Sequence, residues 1–175
     1  MAYRARDSRP VWLLDVDGVL NAPRAGWSRA PRAGWATGFG QRWRMQWEPA
    51  VIEQIRTWHV NGAVEVRWCT TWCPDAEQIE RLFGLPAFAR TLTAQQVATV
   101  ATAGVAKLAV ALTVVEVEQR PMVWTDDLAV PTGGPNLARI RSAPAYSLLI
   151  RPDPRRGLRR EDMAAVAEFL DNKRI

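Results

Sequence analysis

Pro10-Val11-Trp12-Leu13-Leu14-Asp15-Val16-Asp17-Gly18 is an unbroken apolar run that ends in a turn carrying two carboxylates one residue apart. A run without polar alternation reads as a strand covered on both faces, and so as the centre of a sheet rather than its edge. The two aspartates exclude other readings, because neither a bilayer centre nor the apolar segment of a signal peptide accepts them cheaply. A cytoplasmic location and no membrane partner are therefore expected. The chain has 175 residues, 48% hydrophobic and 23% charged. That supports a buried core and, at roughly 100 to 200 residues per domain, predicts one domain over 1–175. The same composition excludes disorder and collagen. Two cysteines make no disulfide framework, and with His59 the sole histidine a Cys/His zinc site lacks ligands. Any metal is expected on oxygen.

Outward from that strand, residues 22–47 change character. Ala22-Pro23-Arg24-Ala25-Gly26-Trp27 recurs as Ala30-Pro31-Arg32-Ala33-Gly34-Trp35, and Thr37-Gly38-Phe39-Gly40 leads into Gln41-Arg42-Trp43-Arg44-Met45-Gln46-Trp47. Two short copies are too few for a solenoid, so the segment reads as a surface insertion whose Arg/Trp alternation suits a two-faced strand. Pro49 near the start, Val51, Ile52, Ile55 and Trp58 at helical spacing, and Asn61-Gly62 at the end predict a helix over 48–60. His59 falls at its C-terminus, where the dipole favours a cation. A buried strand follows at 63–69, then a helix opened by Pro74-Asp75 and stopped by Gly84. Residues 87–103 carry no clear pattern. A helix over 104–118 is expected to bury Val105, Leu108, Ala109, Leu112 and Val115, with Lys107 near its start. A strand at 121–125, a Gly/Pro-rich loop at 131–135, a strand at 146–150 and a helix over 159–170 complete the chain. Cys69 and Cys73 read as small core and helix-start residues.

Alternating strands and helices, with strands that do not alternate in polarity, predict an α/β fold: an open, mostly parallel sheet with helices on both faces. Ligands of such sheets bind beyond the carboxyl ends of the strands. Asp15, Asp17, Thr70 and the pair Asp126/Asp127 all fall there. Carboxylates crowded in this way repel unless a hard cation sits among them, and Mg²⁺ suits an all-oxygen set that also meets a phosphate. The formal net charge of +5, carried almost wholly by arginine, suits a polyanionic partner or reflects coding bias.

Asp15-Val16-Asp17-Gly18-Val19-Leu20 resembles the first signature of the haloacid dehalogenase-like (HAD) phosphohydrolases. Thr70, Lys107 and Asp126-Asp127 match the other three signatures in order, so the resemblance spans nearly the whole chain. Trp68-Cys69-Thr70-Thr71-Trp72 and the segment from Pro152 to Leu158 also resemble a small subgroup associated with bacterial RNA-repair proteins. The resemblance implies a Rossmann-like HAD fold in which residues 22–47 form a small cap after the first strand. It implies Asp15 as nucleophile and Asp17 as acid and base. Thr70 and Lys107 would complete the catalytic set, with Gly18, Thr70, Thr71 and Lys107 around the phosphate. Mg²⁺ would lie on Asp15, Asp17 through its carbonyl, Asp126 and Asp127. A cap this small leaves an open site for a large substrate, and Arg42, Trp43 and Arg44 are the expected substrate contacts. The tryptophans of the insertion either stack on bases or pack the insertion onto the sheet. Arg155, Arg156, Arg159 and Arg160 read as a solvated face, of which the first two are placed to extend a polyanion site. The function expected is a Mg²⁺-dependent phosphatase acting on a nucleotide or an RNA or DNA end. A phosphatase of a small metabolite and a weakly catalytic nucleic-acid-binding module are the alternatives.

Overall fold

The computed structural model describes residues 8–27 and 30–172. The basic opening of the chain and Lys173 lie outside the described residues. Strand β1 (Val11–Leu14) is followed by a hairpin of β2 (Arg32–Gly38) and β3 (Gln41–Trp47), helix α1 (Pro49–Val60), β4 (Glu65–Trp68), α2 (Ala76–Phe83) and the short β5 (Ala89–Arg90). Helix α3 (Val100–Leu112), β6 (Met122–Thr125), α4 (Gly134–Arg141), β7 (Ser147–Ile150) and α5 (Arg160–Asp171) follow. Five strands form one parallel sheet in the order β5-β4-β1-β6-β7, and β2 pairs antiparallel with β3 in a separate two-stranded ribbon. The expected α/β architecture, Rossmann-like with a small hairpin inserted after β1, is what the chain adopts.

The apolar run of β1 divides cleanly between the two faces. Trp12 and Leu14 join Val66, Trp68 and Val123 in a core under α1, α2, α5 and the root of the hairpin. Val11 and Leu13 join Met122 and Trp124 in a second core under α3 and α4. Residues of period two thus fill opposite cores, which is why the strand carries no polar alternation. Trp12 closes the first core by donating its indole N–H to Thr125 Oγ1 at 3.0 Å.

Local chemistry sets the helix ends. Glu48 caps α1 by accepting from Ala50 N, with Pro49 at the first position. Gly84 ends α2 in the left-handed conformation that a side chain resists. Helix α3 begins at Val100, earlier than periodicity indicates, because Thr99 and Thr102 form a reciprocal capping box. It continues through a π-helical segment, Thr113–Glu118. Of the face expected inside, Leu112 and Val115 are buried and Leu108 half-buried, but Val105 is 71% exposed and Ala109 is exposed, while Ala103, Ala106, Lys107 and Ala111 point inward in their place. By length and composition 100–118 is the one helix among the described residues apolar enough to cross a bilayer, with mean hydropathy 1.8. Its inner side packs into the second core instead. Helix α4 occupies a stretch that begins in the expected Gly/Pro loop, with Pro135 in its first turn.

The near-repeat within the insertion is not a structural repeat. Trp27 of the first copy is tied to the body, its backbone N–H donating to Glu48 Oε2 and its indole to the Leu158 carbonyl. Trp35 of the second copy stands on β2 and is 56% exposed. His59 departs from the expected cation: Nδ1 accepts from Val66 N at 3.1 Å, and burial holds its pKa below the ordinary value. It is a neutral acceptor that ties α1 to β4.

Candidate active site at the strand carboxyl ends

The parallel pairing of β1 with β6 brings Leu14 beside Thr125, so the next residues, Asp15 and Asp126, emerge side by side. Helix α3 delivers Lys107 between them. Its ammonium lies 2.6 Å from Asp15 Oδ2 and 2.6 Å from Asp126 Oδ2, and all three side chains are buried. Buried charge is tolerated only when matched and hydrogen-bonded. The remaining oxygens are accordingly used: Val16 N donates to Asp15 Oδ1, and Leu128 N and Ala129 N donate to Asp126 Oδ1.

Asp127 completes the acidic group. One carboxylate oxygen from each of Asp15, Asp126 and Asp127 lies within 4.8 Å of the others. Burial pushes the Asp15 carboxyl up to about 8 against the pull of Lys107, with Asp126 adding to the rise. Asp127 is raised by burial and by its neighbour Asp126. Lys107 is held above its ordinary value by the two carboxylates, which outweigh its own burial. Three carboxylate oxygen donors this close together form a possible site for a hard cation. Gly18 permits this closeness. It has φ +71°, and a Cβ there would stand 2.5 Å from Asp127 Cγ.

Asp15, Asp17, Gly18, Thr71, Lys107 and Asp127 line one cavity of about 370 Å³, together with Val100, Ala103, Gly104, Leu128 and Ala129. Three larger hollows, one at the amino ends of the strands, one beneath the hairpin root and one against the outer face of α3, gather no comparable set of carboxylates. The two threonines separate: Thr71 faces the cavity, whereas Thr70 is fully buried and its hydroxyl accepts from Trp72 N at 3.3 Å. Arg42, Trp43 and Arg44 stand on the exposed tip of the hairpin, outside the cavity lining.

Asp17 is exposed at the rim, with both oxygens occupied: Asn21 Nδ2 donates to Oδ1 at 2.8 Å and Trp72 Nε1 to Oδ2 at 2.9 Å. Neither partner stands out in the sequence as a site residue. A tryptophan after an apolar strand reads as core, and Trp72 is indeed buried except for this one polar contact. The signal available was its place two residues beyond Thr70. Glu80, a buried carboxylate on α2, serves the scaffold: it accepts from Trp68 Nε1 and Phe88 N. The chain matches no family model, no curated protein and no solved structure.

Proposed function

We propose that this chain is a Mg²⁺-dependent phosphatase of HAD type that works through an aspartyl-phosphate on Asp15, with a nucleotide or a nucleic-acid terminal phosphate as substrate. The observation that carries the reading is the setting of Asp15: buried beside Lys107, grouped with Asp126 and Asp127, and open to a cavity that Asp17 borders. The resemblance of the Asp15 to Leu20 stretch to the first HAD signature supports it.

The donor set fits magnesium, being three hard carboxylate ligands with no nitrogen or sulfur. Asp15, Asp126 and Asp127 would hold the ion, which when bound offsets the charge of the phosphoryl oxygens. Asp15 attacks phosphorus, forming a new P–O bond as the ester oxygen departs, and Asp17 gives that oxygen a proton. Water then attacks the same phosphorus, Asp17 takes its proton, and the bond to Asp15 breaks to release phosphate. Splitting one displacement into two is the use of a carboxylate nucleophile. Lys107 offsets charge on Asp15 and on the phosphoryl group, and Thr71 with the backbone at Gly18 lies where phosphoryl oxygens enter.

The hairpin supports the choice of substrate. Trp35 and Trp43 are 56% and 41% exposed, and the Arg42 guanidinium lies 5.2 Å from the Trp35 ring centroid. Exposed indoles among arginines offer stacking and phosphate contacts to single strands. One observation favours a second reading, the phosphatase of a small metabolite: a cavity of about 370 Å³ has the size of a small-ligand site.

Phosphate release should be measured from an aryl phosphate, mononucleotides and 5′- and 3′-phosphorylated oligonucleotides, with Mg²⁺ or EDTA, in wild type and Asp15→Asn. Release that needs Mg²⁺ and disappears in the variant is expected, with the phosphorylated ends preferred. Turnover of the small esters alone would give the site to a metabolite, and no release from any of them would remove the phosphatase reading.

A further inference from the structure

Asp17 is held by two relays that both begin in the inserted hairpin. On one side Gln46 N, in β3, donates to Asn21 Oδ1 at 2.9 Å, and Asn21 Nδ2 donates to Asp17 Oδ1. On the other, Trp72 Nε1 donates to Asp17 Oδ2, and the Trp72 ring is seated by the hairpin tip. Phe39 meets that ring nearly edge-on, with centroids 5.3 Å apart, and its backbone N–H is anchored on Asp75 Oδ2. The ring also lies against Gly38 so closely that a Cβ there would stand 2.3 Å from it. We propose that Trp72 and Asn21 are positioning residues for Asp17, and that the hairpin fixes the aim of this carboxylate through them. The inference rests on the phosphatase reading above, in which Asp17 protonates the departing oxygen.

An exposed carboxylate on a turn samples many directions, and proton transfer needs one. Hydrogen bonds to both oxygens remove that freedom without burying the group. A hairpin too small to enclose a substrate then still acts on the chemistry, through the proton donor rather than by covering the site. Trp72 is suited to the task because its indole has a single N–H and its ring is locked by packing.

The test compares kcat/KM, which reports transfer to Asp15, for an alkyl phosphate with a poor leaving group and for 4-nitrophenyl phosphate, whose leaving group needs little protonation. Trp72→Phe removes the N–H and keeps a ring; a loss of about tenfold or more on the alkyl ester and under about threefold on the aryl ester is expected, within the range general acids contribute. Asn21→Ala should show the same selectivity. Gly38→Ala leaves both donors in place and displaces the ring, so it covers the case in which Trp72→Phe does not fold. In an Asp17→Ala background none of these changes should cost anything further. Equal losses on both esters, or losses that persist without Asp17, overturn the proposal, as does full activity in all three variants. A second readout needs no turnover: the indole ¹H–¹⁵N resonance missing in Trp72→Phe should shift in Asp17→Ala. If wild type hydrolyses neither ester, the proposed function fails on its own, and an unmoved resonance then removes the relay as well.

Discussion

The carboxylate group at the ends of β1 and β6 and the tip of the β2–β3 hairpin are both rich in charge, and they treat it in opposite ways. Asp15, Asp126 and Lys107 are buried, and their charged atoms meet partners within hydrogen-bond distance. Arg42 and Arg44 stand in solvent, with an exposed indole beside Arg42. Burial makes an unmatched charge expensive, so the first region admits few arrangements, while exposure leaves the second free to vary. On the function proposed above, the difference would separate the groups that perform chemistry from those that select the molecule on which it is performed.

Four experiments press on that contrast. The largest effect is expected in the buried region: on the proposed mechanism Asp15→Asn removes the nucleophile and should lower phosphate release by more than about a thousandfold. Lys107→Met leaves two buried carboxylates facing each other without a cation, and urea unfolding should show a loss of about 3–5 kcal/mol without added metal. Added Mg²⁺ should raise the melting temperature of wild type, by about 2.7 kcal/mol of stability at a hundred times its Kd, and Asp126→Asn should abolish most of that gain. At the hairpin, Arg42→Ala with Arg44→Ala should leave stability within about 0.5 kcal/mol. The same pair should reduce the slope of log K against log salt for single-stranded oligonucleotides by about 1.4, if each arginine meets one phosphate. A hairpin pair that unfolds the protein, or a Lys107 variant as stable as wild type, would break the contrast.

A smaller effect belongs to neither region. The folded pKa of His59 is depressed by burial, so the neutral form stabilises the fold in full above the unfolded value of about 6.5. That contribution is lost as pH falls through the folded pKa. Urea midpoints at pH 7.5 and 5.0 should therefore differ more in wild type than in His59→Gln, which keeps an acceptor for Val66 N and does not titrate.

The sequence made β1, its two aspartates and the order of strands and helices legible because each rests on a strong physical demand. An aspartate inside a buried run must have a partner, and a strand covered on both faces must be apolar throughout. The face of α3 was not legible. Val100, Val105, Ala109 and Ala111 make that helix apolar all round, so periodicity carries no phase, and only the sheet decides that Val105 faces out and Ala111 in. Helix α4 was hidden by Gly133-Gly134-Pro135, residues that open a helix as readily as they make a loop. Trp72 and Asn21 were hidden for another reason. The Trp72 contact joins residues 55 apart and depends on the tertiary fold, while Asn21 reaches Asp17 within one turn whose shape no short pattern announces.

The strand order has a consequence in time. Strand β1 precedes the other described strands in the chain yet lies in the middle of the sheet, so it must wait for both neighbours: Trp12 meets Thr125, 113 residues further on, only when β6 arrives. Until then one edge of the most apolar segment has no partner, and open apolar edges invite pairing with other chains. Asp15 is likewise apart from Asp126 and Asp127 until that moment. A chain stopped short of Met122 would therefore lack Asp126 and Asp127 and be prone to aggregate, and synthesis of the last third both completes the carboxylate group and pairs the open edge of β1.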